Sequence, residues 1–125
     1  ESSVIIYKDT LNDWNDETLE KLVISEAIVN ANVKSEVPLE LELKFNPIDV
    51  HGNIIKNVQT NTVNVLANTN EQPIEITIKG EIKNLDGIII SAILKGSNGE
   101  SISPDHKISF KNLKVTVTGN YIDEL

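Results

Sequence analysis

Between residues 37 and 47 the chain reads Val37-Pro38-Leu39-Glu40-Leu41-Glu42-Leu43-Lys44-Phe45-Asn46-Pro47. Leu39, Leu41, Leu43 and Phe45 fall on one side of a two-residue repeat, and Glu40, Glu42, Lys44 and Asn46 on the other. An extended chain sends successive side chains to opposite faces, so this pattern predicts a strand with one face buried and one face wet. At about 3.3 Å per residue, Leu39 to Phe45 covers roughly 23 Å, enough to cross a small sandwich.

The same period recurs along the chain. Val4 to Tyr7 predicts a short first strand. From Ile24 to Lys34, Ala27, Val29, Ala31 and Val33 share one face, with Ile28, Asn30, Asn32 and Lys34 on the other. Asn46-Pro47 and Asp49 to Asn53 read as a turn, with Asp first and Gly52 fourth, and Ile54-Ile55 as the start of a return strand. Val63, Val65 and Ala67 are in phase, as are Ile74, Ile76 and Ile78. Gly80 and Asn112 interrupt strand-like runs and predict bulges. Ile88 to Lys95 opens apolar on both faces, which places it centrally in a sheet. Asn98-Gly99 is a hairpin signal. Leu113, Val115 and Val117 close the list of inward positions. One segment departs from the period: Asn12 to Leu22, where Asp13 could cap a short helix with Asp16 and Glu17 in its first turn.

The sum is an all-β chain, an antiparallel β-sandwich of seven or eight strands, of Greek-key or immunoglobulin-like type, with at most one short helix. Residues 1–125 form a single domain: an N-terminal strand and acidic segment at 1–22, the sandwich core at 23–119 and a tail at 120–125. Composition agrees: Ile, Val and Leu supply most of the apolar content, against two Phe, two Tyr, one Trp and no Met.

Charge narrows the partners. A net charge of −8 repels nucleic acid and anionic membrane surfaces. The absence of cysteine excludes disulfides, thiolate metal sites and cysteine nucleophiles. No apolar stretch reaches the length of a transmembrane helix. The chain opens at Glu1 rather than Met, as a processed or cut form would, and any signal or lipid-anchoring segment would lie upstream.

Two stretches carry a likeness. The Val37-to-Leu43 strand followed by the Asp49-to-Asn53 turn, and Leu85-Asp86-Gly87-Ile88 followed by Ile108-Ser109-Phe110-Lys111-Asn112-Leu113-Lys114-Val115, resemble surface or periplasmic lipoproteins of Bacteroidetes-type bacteria. The resemblance spans Ile24 to Gly119 and is one of strand ends and turns. It implies an exported, non-enzymatic β-sandwich at the bacterial periplasm or cell surface. The lipid-bearing cysteine of such proteins is absent from this sequence.

Candidate chemistry is sparse. Asp9, Asp13, Asp16 and Glu17, with Glu20, form the densest acidic stretch. Calcium takes six to eight oxygen ligands, but no D-x-D-x-D-G run is present, so a solvated acidic face competes with a calcium site. His51 and His106 lie beside turn formers and read as solvated loop residues before zinc ligands. Asp49 and Asp86, both at strand tips, are the carboxylate pair that could flank a sugar, and no nucleophile or phosphate-cradling motif accompanies them. Trp14, beside Asn15 and with Tyr7 as a second aromatic, is the candidate sugar platform; Tyr121 is a third. A single Trp also serves to plug a sandwich end. The expected function is a non-catalytic exported binding or assembly module for a protein or surface glycan, with no cofactor. The alternative is a glycan-binding accessory domain centred on Trp14, Asn15 and Tyr7.

Overall fold

The computed structural model describes residues 3–95 and 105–122, so the Asn98-Gly99 hairpin lies outside the described residues. Among the described residues there are eight strands: β1 (Ser3–Leu11), β2 (Leu22–Ser35), β3 (Leu41–Asp49), β4 (Val58–Thr60), β5 (Val63–Val65), β6 (Gln72–Lys83), β7 (Leu85–Lys95) and β8 (Ile108–Tyr121). They make two four-stranded sheets, β1-β7-β3-β5 and β4-β6-β2-β8. Every ladder is antiparallel.

Consecutive strands never share a sheet. The strand pairs β1·β7, β2·β6 and β3·β5 form one long ribbon folded back at β4, and β3·β7 and β4·β6 join its turns side by side. This is a Greek-key winding of jelly-roll type, with β8 added outside β2. An immunoglobulin domain instead keeps its first two strands in one sheet, so the strand order here is not of that kind.

The core lies between the sheets, where the alternation puts it. Leu41, Leu43, Phe45, Ile74, Ile76, Ile78 and Ile90 are buried as the pattern predicts, together with Ile24, Val29, Val33, Ile82, Leu85 and Ile88. Each buried side chain of this size contributes about 1.5–3 kcal/mol of transfer free energy. Leu39 precedes β3 and is half-buried. Leu113, expected inside, is 42 % exposed, and Val115 and Val117 are half-buried, because β8 is an edge strand and carries a bulge there. Two residues of β8, Asn112 and Leu113, oppose the single Ala31, and Asn112 takes φ 57°. The predicted bulge at Gly80 is also present, between the pairs Ile24↔Ile82 and Glu26↔Lys79.

Other local expectations are corrected. β3 runs on through Asn46 and Pro47 to Asp49. Proline is tolerated because its carbonyl accepts from the Ile55 N–H, on the side away from β7, so its missing N–H removes no β7 bond. The turn that follows has Gly52 N–H donating to the Asp49 carbonyl at 2.9 Å. Ile54 makes only an isolated bridge with Ile48, and the chain then crosses to the other sheet as β4. The predicted helix is absent. Asp13 adopts φ 65°, and a 3-10 turn forms later, at Leu19–Lys21. Its capping acid is Asp16, whose Oδ1 accepts from the N–H groups of Thr18 (3.0 Å) and Leu19 (2.8 Å).

The sheet edges are blunted. β4 and β5 are three residues each. The Gln72 side chain occupies backbone groups of β5 and the residue after it, donating to the Asn64 carbonyl (2.7 Å) and accepting from Leu66 N–H (2.9 Å). Asn61 does the same for β6, donating to the Glu75 carbonyl (2.9 Å) and accepting from Thr77 N–H (2.8 Å). β1 is bulged at Ile6, and β8 carries Lys111 and Lys114 beside its bulge. These are the devices by which sheets avoid edge-to-edge pairing.

Candidate functional site

One end of the sandwich gathers the chemistry. The C-terminal ends of β1, β3, β6 and β8 meet the start of β2 and β7 there. β6 passes to β7 in the opposite sheet through Asn84 alone, at φ 56°. Asn tolerates this left-handed conformation better than other non-glycine residues. Two residues on, Asp86 is the extra residue of a bulge, since Ile48 pairs with Gly87 and Asp49 with Leu85.

That bulge frees Asp86 to hold the segment after β1. The Trp14 N–H donates to the Asp86 carbonyl (2.9 Å), and the Asn15 N–H to Asp86 Oδ1 (3.0 Å). Asn15 Nδ2 donates to the Leu85 carbonyl (3.1 Å). Gly87 is needed beneath: a Cβ there would collide with the Leu11 carbonyl oxygen and lie 2.7 Å from Asn12 Cα. Trp14 itself is half-buried and packed on the core. The Trp14 backbone and the Asn15 backbone and side chain therefore tie the segment after β1 to the β6–β7 corner.

Tyr7 is elsewhere. It pairs with Ala92, whereas Leu11 pairs with Ile88, four residues and about 13 Å along the sheet. Tyr7 is half-buried, its hydroxyl donates to Asp9 Oδ2 (3.0 Å), and its ring lies 6.5 Å from that of Phe110 on β8. The contact ties the two sheets together at the β1/β8 side. Burial, reinforced by the hydrogen bond to Asp9 and by its charge, pushes the Tyr7 phenol up to about 12.

The acidic residues do not converge. Asp9 is spent on Tyr7 and on the Thr10 N–H, and Asp16 on its 3-10 turn, while Asp13 and Glu17 are exposed. No group of three or more His, Asp or Glu side chains is arranged to hold a metal among the described residues. Asp49 and Asp86 do meet at one end of sheet β1-β7-β3-β5, but both hold backbone. Asp49 Oδ1 accepts from the N–H groups of His51 (2.9 Å) and Asn53 (3.0 Å). No helix among the described residues is long and apolar enough to cross a membrane.

The same end opens into a cavity of about 510 Å³ lined by Glu20, Lys21, Asn84, Tyr121 and Ile122. Tyr121 is 71 % exposed at the end of β8, opposite Leu22, and the Ile122 N–H donates to the Lys21 carbonyl (2.8 Å). Sequence reasoning named Tyr121 as an aromatic and Glu20 as part of the acidic stretch, but did not bring them together or single out Lys21, Asn84 or Ile122. Glu20-Lys21, Asn84 and Ile122 lie far apart in the chain and meet only because β2 pairs with β6 on one side and β8 on the other. A smaller hollow of about 240 Å³, lined by Glu40, Leu41, Glu42 and Asn64, lies beside the start of β3. Compared with known proteins, the chain matches no family model, no curated protein and no solved structure.

Proposed function

We propose that the domain is a non-catalytic binding module that meets its ligand at the end of the sandwich where Tyr121 is displayed. The observation that carries this is the open cavity lined by Tyr121 and Ile122, where Tyr121, the most exposed large apolar side chain among the described residues, is displayed beside polar groups. Assembly through strands added at the sheet edges is disfavoured by the blunted edges, which turn strand partners away. The likeness to exported bacterial surface lipoproteins supports a setting at the periplasm or cell surface, where such a module meets glycans and proteins.

A thermal melt followed by Trp14 fluorescence tests this, screened against calcium, purified surface proteins and host and dietary glycans. A ligand that binds only the folded chain raises the midpoint by mass action. The expected result is a rise with one ligand that shrinks in Tyr121→Ser and persists in His51→Ala, at the neighbouring turn. Concentration-dependent self-association with no ligand-induced rise would replace binding by assembly.

A further inference from the structure

We propose that the cavity beside Tyr121 is a saccharide subsite that stacks one ring of a neutral glycan on the Tyr121 face. This rests on the binding-module reading and names the ligand class. It also moves the sugar platform away from Trp14, whose polar sequence neighbours had suggested it.

Three observations converge. First, of the five aromatic residues, Phe45 is buried and Tyr7, Trp14 and Phe110 are half-buried, whereas Tyr121 is 71 % exposed. The electron-rich face of an aromatic ring attracts the polarised C–H groups of a pyranose. Second, the platform is held. Tyr121 pairs with Leu22, and the next residue is hydrogen-bonded to Lys21, so little backbone freedom is lost on binding. Third, the rim supplies an acceptor, a donor and a group that is both: Glu20, Lys21 and Asn84. Their side chains make no hydrogen bond or ion pair to another described residue, so they are available to vicinal hydroxyls.

The chemistry disfavours other small ligands. The cavity is open, and Ile122, itself 47 % exposed, is its one aliphatic wall, which is poor enclosure for a purely apolar molecule. Glu20 and Lys21 carry opposite charges on the rim, and the −8 of the whole chain repels polyanionic glycans. A flat ring with an apolar face and a hydroxyl rim fits what remains.

The test is a ¹H–¹⁵N NMR titration of the whole chain with neutral gluco-, manno-, galacto- and xylo-oligosaccharides. One series is expected to shift the amides of Lys21, Asn84, Tyr121 and Ile122. Tyr121→Phe, which keeps the ring, should retain binding. Tyr121→Ala should weaken it roughly tenfold or more at an unchanged melting temperature. Asn84→Gly, which keeps the left-handed turn, should weaken it severalfold. Shifts confined to the Trp14 segment would overturn this subsite while leaving a binding module. No shift with any of the four series at millimolar sugar would overturn the saccharide class, and the binding-module reading would then stand or fall on the protein arm of the melting screen.

Discussion

Single residues set the corners of this molecule. Asn57, Asn68, Asn84 and Asn112 all take positive φ, a conformation that is costly for most L-residues. Asn84 is the strictest case, because it alone joins β6 to β7 across the two sheets. Asn84→Gly is expected to leave stability nearly unchanged, and Asn84→Val to cost about 1–2 kcal/mol or more, as read by urea unfolding. Tyr7 makes a second prediction, in pH. Its folded-state pKa is about 12 against 10.0 for the free side chain. The folded state thus favours the neutral phenol, and its contribution is complete below pH 10.0 and is lost as pH rises toward 12. Tyr7→Phe should flatten the fall of melting temperature across that alkaline window and remove the phenol that ionises near pH 12 from the ultraviolet spectrum. An equally steep fall in Tyr7→Phe would show that the phenol is not the group responsible.

Elements were legible where their cause is local. The alternation from Leu41 to Phe45 needs no knowledge of partners, and the bulges at Gly80 and Asn112 announce themselves as a break in phase. The Trp14 segment was not legible, because what shapes it is about seventy residues away. Asn15 bonds to Leu85 and Asp86, and this contact holds Trp14 and Asn15 where the composition alone suggests a helix start. The side chain that caps in fact is Asp16, one turn later. Asp86→Ala should therefore loosen the clamp. The expected loss is about 1–2 kcal/mol of stability, with a red-shifted Trp14 emission as the half-buried indole meets water. Unchanged emission would mean that core packing and the bonds to the Asp86 and Leu85 carbonyls position Trp14 without the Asp86 carboxylate. The Tyr121 cavity was hidden for a related reason: its lining comes from the turn before β2, the β6–β7 corner and the end of β8, and only the β2·β6 and β2·β8 registers bring them together.

At the scale of the whole molecule, the short β4 and β5, the amides of Gln72 and Asn61 and the bulged β1 and β8 leave no long flat edge among the described residues. Sedimentation should show a monomer from micromolar to millimolar concentration. Replacing Lys111 and Lys114 by Val should promote association by removing charge from the β8 edge; an unaltered monomer would assign edge protection to the bulge alone. The alternation of strands between sheets has a further consequence, in time rather than in shape. Among the described residues, no two strands adjacent in sequence pair with each other, so these strands offer no simple two-strand hairpin as a starting point. The shortest loops close in the middle of the chain, where Leu43 finds Val63 and Thr60 finds Ile78, while Leu11 must reach Ile88. Such a chain pays loop entropy before contacts reward it, and folding on the order of milliseconds to seconds is expected. The nucleus should form around β3 to β6 and zip outward toward the termini, so that substitutions in β1 and β8 speed unfolding and leave the refolding rate almost untouched.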